Sequence, residues 1–360
     1  MNKAMPSRHE EYAGGSEEAE RQLIEGYVRD IRAIQERTAA KAGKSPDRTL
    51  HAKIIVGVRN ARLVVDRDLP PDLAAGYFQP GAELATAIRL SNASPFHRGD
   101  TAADMRGAAL RINTGDGGFH DLLMTSYPVS HARDAWQFIE VAKIATGPKP
   151  LVLPRFILKF GLSETLRILR NVKTGSQPIE SLRTQQFWSR APLLWGSAGP
   201  VRYALRPVAQ PAGKQPDDTD RNYLATEFAN GAAAGDVLYK LSLQRYVDSE
   251  TTPIENGAAE WRESDAPFVD VATLIIPAQD LGSTEAVRAK QAIDGLAFNP
   301  WNCPPQFRPL GGLNRARNRV YFASAAGWLG SPDSGARVNR TGSVRRANEH
   351  AEGSPFQNNR

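Results

Sequence analysis

Arg48-Thr-Leu-His51-Ala52-Lys53-Ile54-Ile-Val56-Gly-Val58 is the stretch on which the fold turns. From Ala52 to Val65 apolar side chains fall on alternate positions: Ile54, Val56 and Val58, then, after a break, Leu63 and Val65. That period of two marks a strand with one buried face. The same alternation returns at Ala85–Ser91, where Thr86, Ile88 and Leu90 oppose Ala87 and Arg89, and again at Met105–Asn113. Asp121–Met124 begins a fourth strand, ended by Pro128, and Val237–Tyr246 and Val269–Pro277 add two more. Short strands joined by long irregular links predict an antiparallel barrel.

Helices flank this pattern. Ser16 can cap a helix over Glu17–Ala42, in which Leu23, Tyr27, Ile31 and Ile34 share one face and Glu17, Glu18 and Glu20 meet the positive end of the helix dipole. Asn314–Ala326 has helical character and 279–296 is mixed or helical. The interval 147–210 differs in composition. Lys149-Pro-Leu-Val-Leu-Pro-Arg-Phe-Ile-Leu-Lys-Phe is apolar with embedded cations, and Ser163–Lys173 reads as a basic amphipathic helix. We read it as a helix packed on the barrel with snorkelling cations; a peripheral membrane contact through 151–173 is the second expectation. Residues 1–15 and the Ser-, Gly-, Asn- and Arg-rich 331–360 are expected to be disordered, leaving one domain over 16–330.

Composition narrows the function. The chain has 360 residues, 41% hydrophobic and 23% charged, with 25 prolines. No run of about 18 apolar residues suggests a membrane span, and the start lacks the apolar core of a secretory signal. Cys303 is the only cysteine, so no intramolecular disulfide can form and a cytoplasmic location is expected. The net charge is +6, but the arginines are dispersed among apolar strands and no nucleic-acid-binding signature is present, so nucleic acid is not an expected partner. None of the six histidines has zinc-site spacing. There is no Gly-x-Ser-x-Gly elbow, and Gly115-Asp-Gly-Gly118 is a turn with no helix following it.

A second fragment lies far downstream: Arg308-Pro-Leu-Gly-Gly-Leu-Asn314-Arg315-Ala-Arg317-Asn-Arg319-Val-Tyr321. On a helix Arg317 and Tyr321 are i, i+4 neighbours. Between the two fragments come Arg89-Leu90-Ser91-Asn92, Met105-Arg106-Gly107 and Phe119-His-Asp121-Leu122-Leu-Met-Thr125-Ser126-Tyr-Pro128. In order and rough spacing these segments, with Phe298-Asn-Pro-Trp301, resemble the catalase-related haem proteins, in particular the small branch that metabolises organic hydroperoxides. The resemblance covers roughly 20–328 and implies an α+β fold with a catalase-like antiparallel barrel and flanking helices. It implies haem b as cofactor, a hydroperoxide as substrate and a homo-oligomer.

By resemblance, Tyr321 is the axial iron ligand and His51 the distal acid–base group. Arg48 and Arg89 hold the propionates, and Ser91 supports the histidine. A phenol titrates near ~10, so ligation as an anion is favoured by the iron and by a nearby cation, the part assigned to Arg317. Arg106 is expected to pair with a carboxylate. Thr125, followed by Ser126, stands where family members carry the asparagine that orients peroxide. Ser130 and His131 stand where they carry phenylalanines, and the arginine often found shortly after the tyrosine is missing. A hydroxyl does not reproduce an amide's hydrogen-bonding pattern. The departures favour a peroxidase, or a lyase or isomerase of organic or fatty-acid hydroperoxides. A weak hydrogen peroxide catalase and a non-catalytic haem- or lipid-binding protein are the alternatives.

Overall fold

In the computed structural model, residues 10–43, 47–208, 219–329, 336–338 and 344–346 are described. Helix α1 spans Glu17–Ala42; the Ser16 hydroxyl accepts from the Ala19 N–H at 3.1 Å, and Gly43 ends the helix at φ 60°. Strands β1 (Ile54–Val65), β2 (Glu83–Asn92), β3 (Arg106–Asn113) and β4 (Phe119–Thr125) follow as an antiparallel meander. Three helices come next, α2 (Ala135–Ala145), α3 (Lys149–Phe160) and α4 (Leu162–Gly175). Then come β5 (Phe187–Trp188), β6 (Leu193–Leu194), β7 (Pro200–Pro207), α5 (Tyr223–Ala234), β8 (Val237–Arg245), β9 (Val269–Ile276), α6 (Thr284–Asp294) and α7 (Gly312–Leu329).

The sheet closes on itself. β9 pairs with β1, and β5 pairs with both β4 and β7, so eight strands form an antiparallel barrel with β6 attached to β7. The barrel interior is packed with Leu63, Ile88, Leu110, Leu122, Leu205 and Leu274, each at 0% exposure. It is a core and not a pore. Two smaller cores hold the helices. Ile24, Tyr27, Ile31 and Ile34 of α1 pack with Ile139 of α2 and Ala316 of α7; Val141 and Ile144 of α2 pack with Phe156 of α3 and Ile168 of α4.

Some expectations need correction. Residues 10–15 are not disordered: Glu10 is ion-paired to Arg308 at 2.6 Å and to Arg315 at 2.8 Å, and Ala13–Gly15 form a 3-10 turn. Within 331–360, Ala336–Val338 pairs with Val344–Arg346 as a short ribbon; the rest of that segment, like residues 1–9, lies outside the described residues. The segment 149–175 is a helical hairpin that packs on α2 instead of on the barrel and leaves a row of leucines exposed. Among the described residues no helix is long and apolar enough to cross a membrane.

Candidate functional site

A cavity of about 380 Å³ lies between the start of β1, strands β2 to β4, α2 and α7. It is within the size range of pockets for small molecules and cofactors. His51, Arg48, Arg89, Ser91, Thr125, Arg317 and Tyr321 all line it, together with Ser130 and His131. Segments nearly three hundred residues apart thus meet at one place.

His51 is held in an unusual conformation. Its φ of 59° makes it the one non-glycine residue with positive φ among those described, a state costing roughly 1–2 kcal/mol for an L-residue. Its N–H donates to Ala93 O at 3.0 Å, which fixes the strained backbone, and its Nδ1 lies 3.2 Å from Ser91 Oγ. The ring lies against Gly107, where a Cβ would come 2.4 Å from Nδ1. Although one surface faces the cavity, enclosure and then the Arg89 and Arg190 charges depress its pKa to about 3, so the imidazole is neutral at physiological pH.

Arg89 ion-pairs with Asp294 at 2.9 Å and donates to the His51 carbonyl at 2.9 Å. Arg48 donates to the Asp294 and Leu296 carbonyls and stacks on Trp328, 4.0 Å from the ring centroid. Enclosure and the charge of Arg89 lower the Arg48 pKa to about 9. On α7 the Arg317 guanidinium lies over the Tyr321 ring at 4.9 Å and donates to Asn314 Oδ1 at 3.0 Å, so its charge is held beside the phenol.

Two assignments change. Ser126 does not line the cavity: its Oγ accepts from the Arg106 N–H at 2.8 Å and so closes the end of the β3–β4 pair. Among the described residues Arg106 has no carboxylate hydrogen bond; its guanidinium donates to the Asp100 and Ala102 carbonyls at 2.8 and 3.3 Å, and its charge acts on Asp104 without direct contact. Thr125 does line the cavity, with its hydroxyl donating to the Tyr127 carbonyl at 3.2 Å.

Sequence reasoning missed Arg190 and Trp328. Arg190 lines the cavity between β5 and β6; its Nη2 contacts the Met105 sulfur at 2.6 Å and its Nε has no hydrogen-bond partner among the described residues. Enclosure lowers its pKa to about 10, with the charges of Tyr321 and Arg317 acting in opposite senses. The available signal was a lone arginine inside the otherwise apolar Phe187-Trp-Ser-Arg190-Ala-Pro-Leu-Leu. Trp328, two turns beyond Tyr321, lies past Ala326, where the helix read from the sequence ends, and α7 runs on to Leu329.

Residues 16–150 match the Catalase family model. Among solved structures the chain is similar to a fungal catalase, at 17% identity and a TM-score of 0.63 over 83% of this chain and 63% of that one. It is also similar to catalase A from Saccharomyces cerevisiae (15%, 0.59, 83% and 64%) and to a bacterial catalase (18%, 0.53, 84% and 61%). The chain spans about three fifths of the length of these catalases, and at such identities the likeness is one of fold. No curated protein matches it. The matched stretch carries His51, Arg89, Ser91 and Thr125, while Tyr321 lies beyond it on α7; the chain has a catalase-like fold, and the part that matches the Catalase family model is 16–150.

Proposed function

We propose that the protein is a haem-dependent enzyme acting on organic hydroperoxides, as a peroxidase or as a lyase or isomerase of fatty-acid hydroperoxides. One observation carries this: the strained His51 and Tyr321 of α7 line a single cavity. The residues there fit haem b. Tyr321 is a donor of the type that ligates iron in catalases, Arg48 and Arg89 are cations able to meet two carboxylates, and Leu123, Phe138, Phe298 and Val320 give apolar walls. Among the described residues no cluster of His, Cys, Asp or Glu offers an alternative metal site. When bound, haem would supply the redox-active iron for O–O cleavage.

His51, neutral, would take the proton from the hydroperoxide O–H and return it to the leaving oxygen. Ser91 Oγ, beside Nδ1, would fix the ring and leave Nε2 as the working nitrogen. Thr125 bears on the choice of substrate. Hydrogen peroxide has no body for a wall to grip, so only hydrogen bonds can orient it. Thr125 offers no amide donor, and its hydroxyl hydrogen is engaged by Tyr127 O. An organic hydroperoxide can instead be oriented by its hydrocarbon part against Leu123, Phe138 and Val320. A peroxidase outcome requires two electrons from an external donor; an isomerase or lyase outcome requires none.

The test is the absorption spectrum of haem-supplemented protein before and after a fatty-acid hydroperoxide is added. Stoichiometric haem and consumption of the hydroperoxide without oxygen release are expected. Tyr321→Phe should abolish or greatly weaken haem binding. His51→Ala should retain haem and lose turnover by about 10²–10⁴-fold. An unchanged haem spectrum in Tyr321→Phe would overturn the ligand assignment. Oxygen release from hydrogen peroxide would instead favour a catalase, and inert peroxide a binding protein.

A further inference from the structure

The hairpin of α3 and α4 has two unlike faces. Inward, Phe156 and Ile168 join the small core with α2. Outward, Leu158 is 90% exposed, Leu162 60%, Leu166 58% and Leu153 52%. Of the 14 large hydrophobic residues exposed among those described, eight are on this hairpin. Such a concentration is unusual, because exposed apolar residues on a soluble surface are normally scattered.

The charge of the same helices is one-sided. Lys149, Arg155, Arg170 and Lys173 are exposed around the leucines, and Lys159, also exposed, is ion-paired to Glu140 of α2 at 3.0 Å. The one acid in 149–175, Glu164, is engaged by Arg133 at 2.9 Å and Arg167 at 2.7 Å. On α4, Leu162, Leu166 and Leu169 are spaced four and three apart, so they share a stripe, and Lys173 continues it. Trp136 of α2 stands at the margin, 43% exposed, with Lys159 5.4 Å from its ring and Phe160 at its edge. Apolar side chains able to enter an acyl layer, cations at headgroup level and a boundary tryptophan form the pattern of a helix lying in an anionic membrane interface.

We propose that the outer face of α3–α4 docks this protein on an anionic phospholipid bilayer. A protein partner with an apolar groove would meet the leucines but would need an acidic rim for every cation around them. An anionic bilayer supplies both at once. The docked hairpin would also stand next to the cavity, since Arg167 donates to the His131 carbonyl at 3.0 Å and Asn171 to the Ser130 carbonyl at 3.2 Å, and both acceptor residues line it. Docking does not depend on haem or on hydroperoxide turnover.

The full chain would be floated with vesicles of phosphatidylcholine alone or mixed with phosphatidylglycerol. Binding is expected on the mixed vesicles, weakening in high salt and on phosphatidylcholine alone. The double variants Leu158→Glu with Leu162→Glu, and Arg170→Glu with Lys173→Glu, should each lower vesicle affinity at least about tenfold with unchanged circular dichroism. Arg337, Arg340, Arg345, Arg346 and Arg360 of the tail are untouched by these changes, so loss of binding assigns it to the hairpin. Wild-type binding by both variants, or no binding to either vesicle, overturns the proposal. So does a dimer in the absence of lipid that Leu158→Glu disperses, which would show that a second copy covers the face.

Discussion

His51 and Gly107 are two halves of one arrangement. The histidine adopts a left-handed backbone, and its ring occupies the space a side chain at 107 would fill, with Ser91 Oγ 3.0 Å from the same hypothetical Cβ. Strain of this kind persists where surrounding structure fixes it, and it points to function. Gly107→Ala should therefore displace the imidazole or β3, costing about 1–3 kcal/mol by overpacking and breaking the His51–Ser91 contact. Denaturant unfolding and hydroperoxide turnover would both fall; intact turnover with normal stability would show that the ring's position is unimportant. The sequence marked His51 through its place ahead of an alternating strand, but Gly107 stood there only as the neighbour of Arg106. Its role exists only once β3 is laid beside the turn at 51. Arg190 was hidden for a similar reason: it follows a two-residue strand, too short for periodicity to show.

At the scale of elements, the helix that carries Tyr321 is held from behind by the N-terminus. Gln35 of α1 donates to the Ser324 carbonyl at 3.2 Å, and Arg315 of α7 pairs with Glu10, Glu20 and Glu255 at 2.8, 2.6 and 3.2 Å. Glu10 and Glu20 side chains are 1% and 7% exposed; Arg315→Met would leave Glu20 without its ion-pair partner in a poorly solvated place and Glu10 with Arg308 alone. We expect a loss of about 3–5 kcal/mol, with residues 10–15 becoming protease-sensitive. The exposed Arg319–Glu25 pair is the control: solvent screens it, so its loss should cost much less. Equal effects for the two would show that burial is not what sets the value of these pairs. The helix itself was legible from the helical character of Asn314–Ala326 and the apolar face of α1 from Tyr27, Ile31 and Ile34, but the Glu10 contact was not, since a segment of Arg, His and Glu beside a helix start reads as solvated.

At the scale of the molecule, the barrel was readable where strands have one wet face and unreadable where they do not. β1 and β2 alternate visibly. β7 is bounded by prolines and buried on both faces over most of its length, so it shows no period of two, and β5, which closes the ring, is two residues long. Closure also seals a histidine inside. His120 on β4 is 0% exposed; its Nδ1 is 2.7 Å from Tyr77 Oη, its Nε2 has no hydrogen-bond partner among the described residues, and burial depresses its pKa to about 3. In the unfolded chain the group titrates near ~6.5. Between these values the unfolded state binds the extra proton, so stability is full above about 6.5 and is lost as pH falls toward 3, with a slope approaching ~1.4 kcal/mol per pH unit. His51 and His131 are shifted in the same direction but face the cavity, where water can reach them, so they add less. Denaturant midpoints measured between pH 7 and 5, above most carboxylate titrations, should fall with acid, and His120→Gln should flatten the slope by up to one proton. A wild-type midpoint unchanged to pH 5 would mean that the barrel interior admits the charged imidazole.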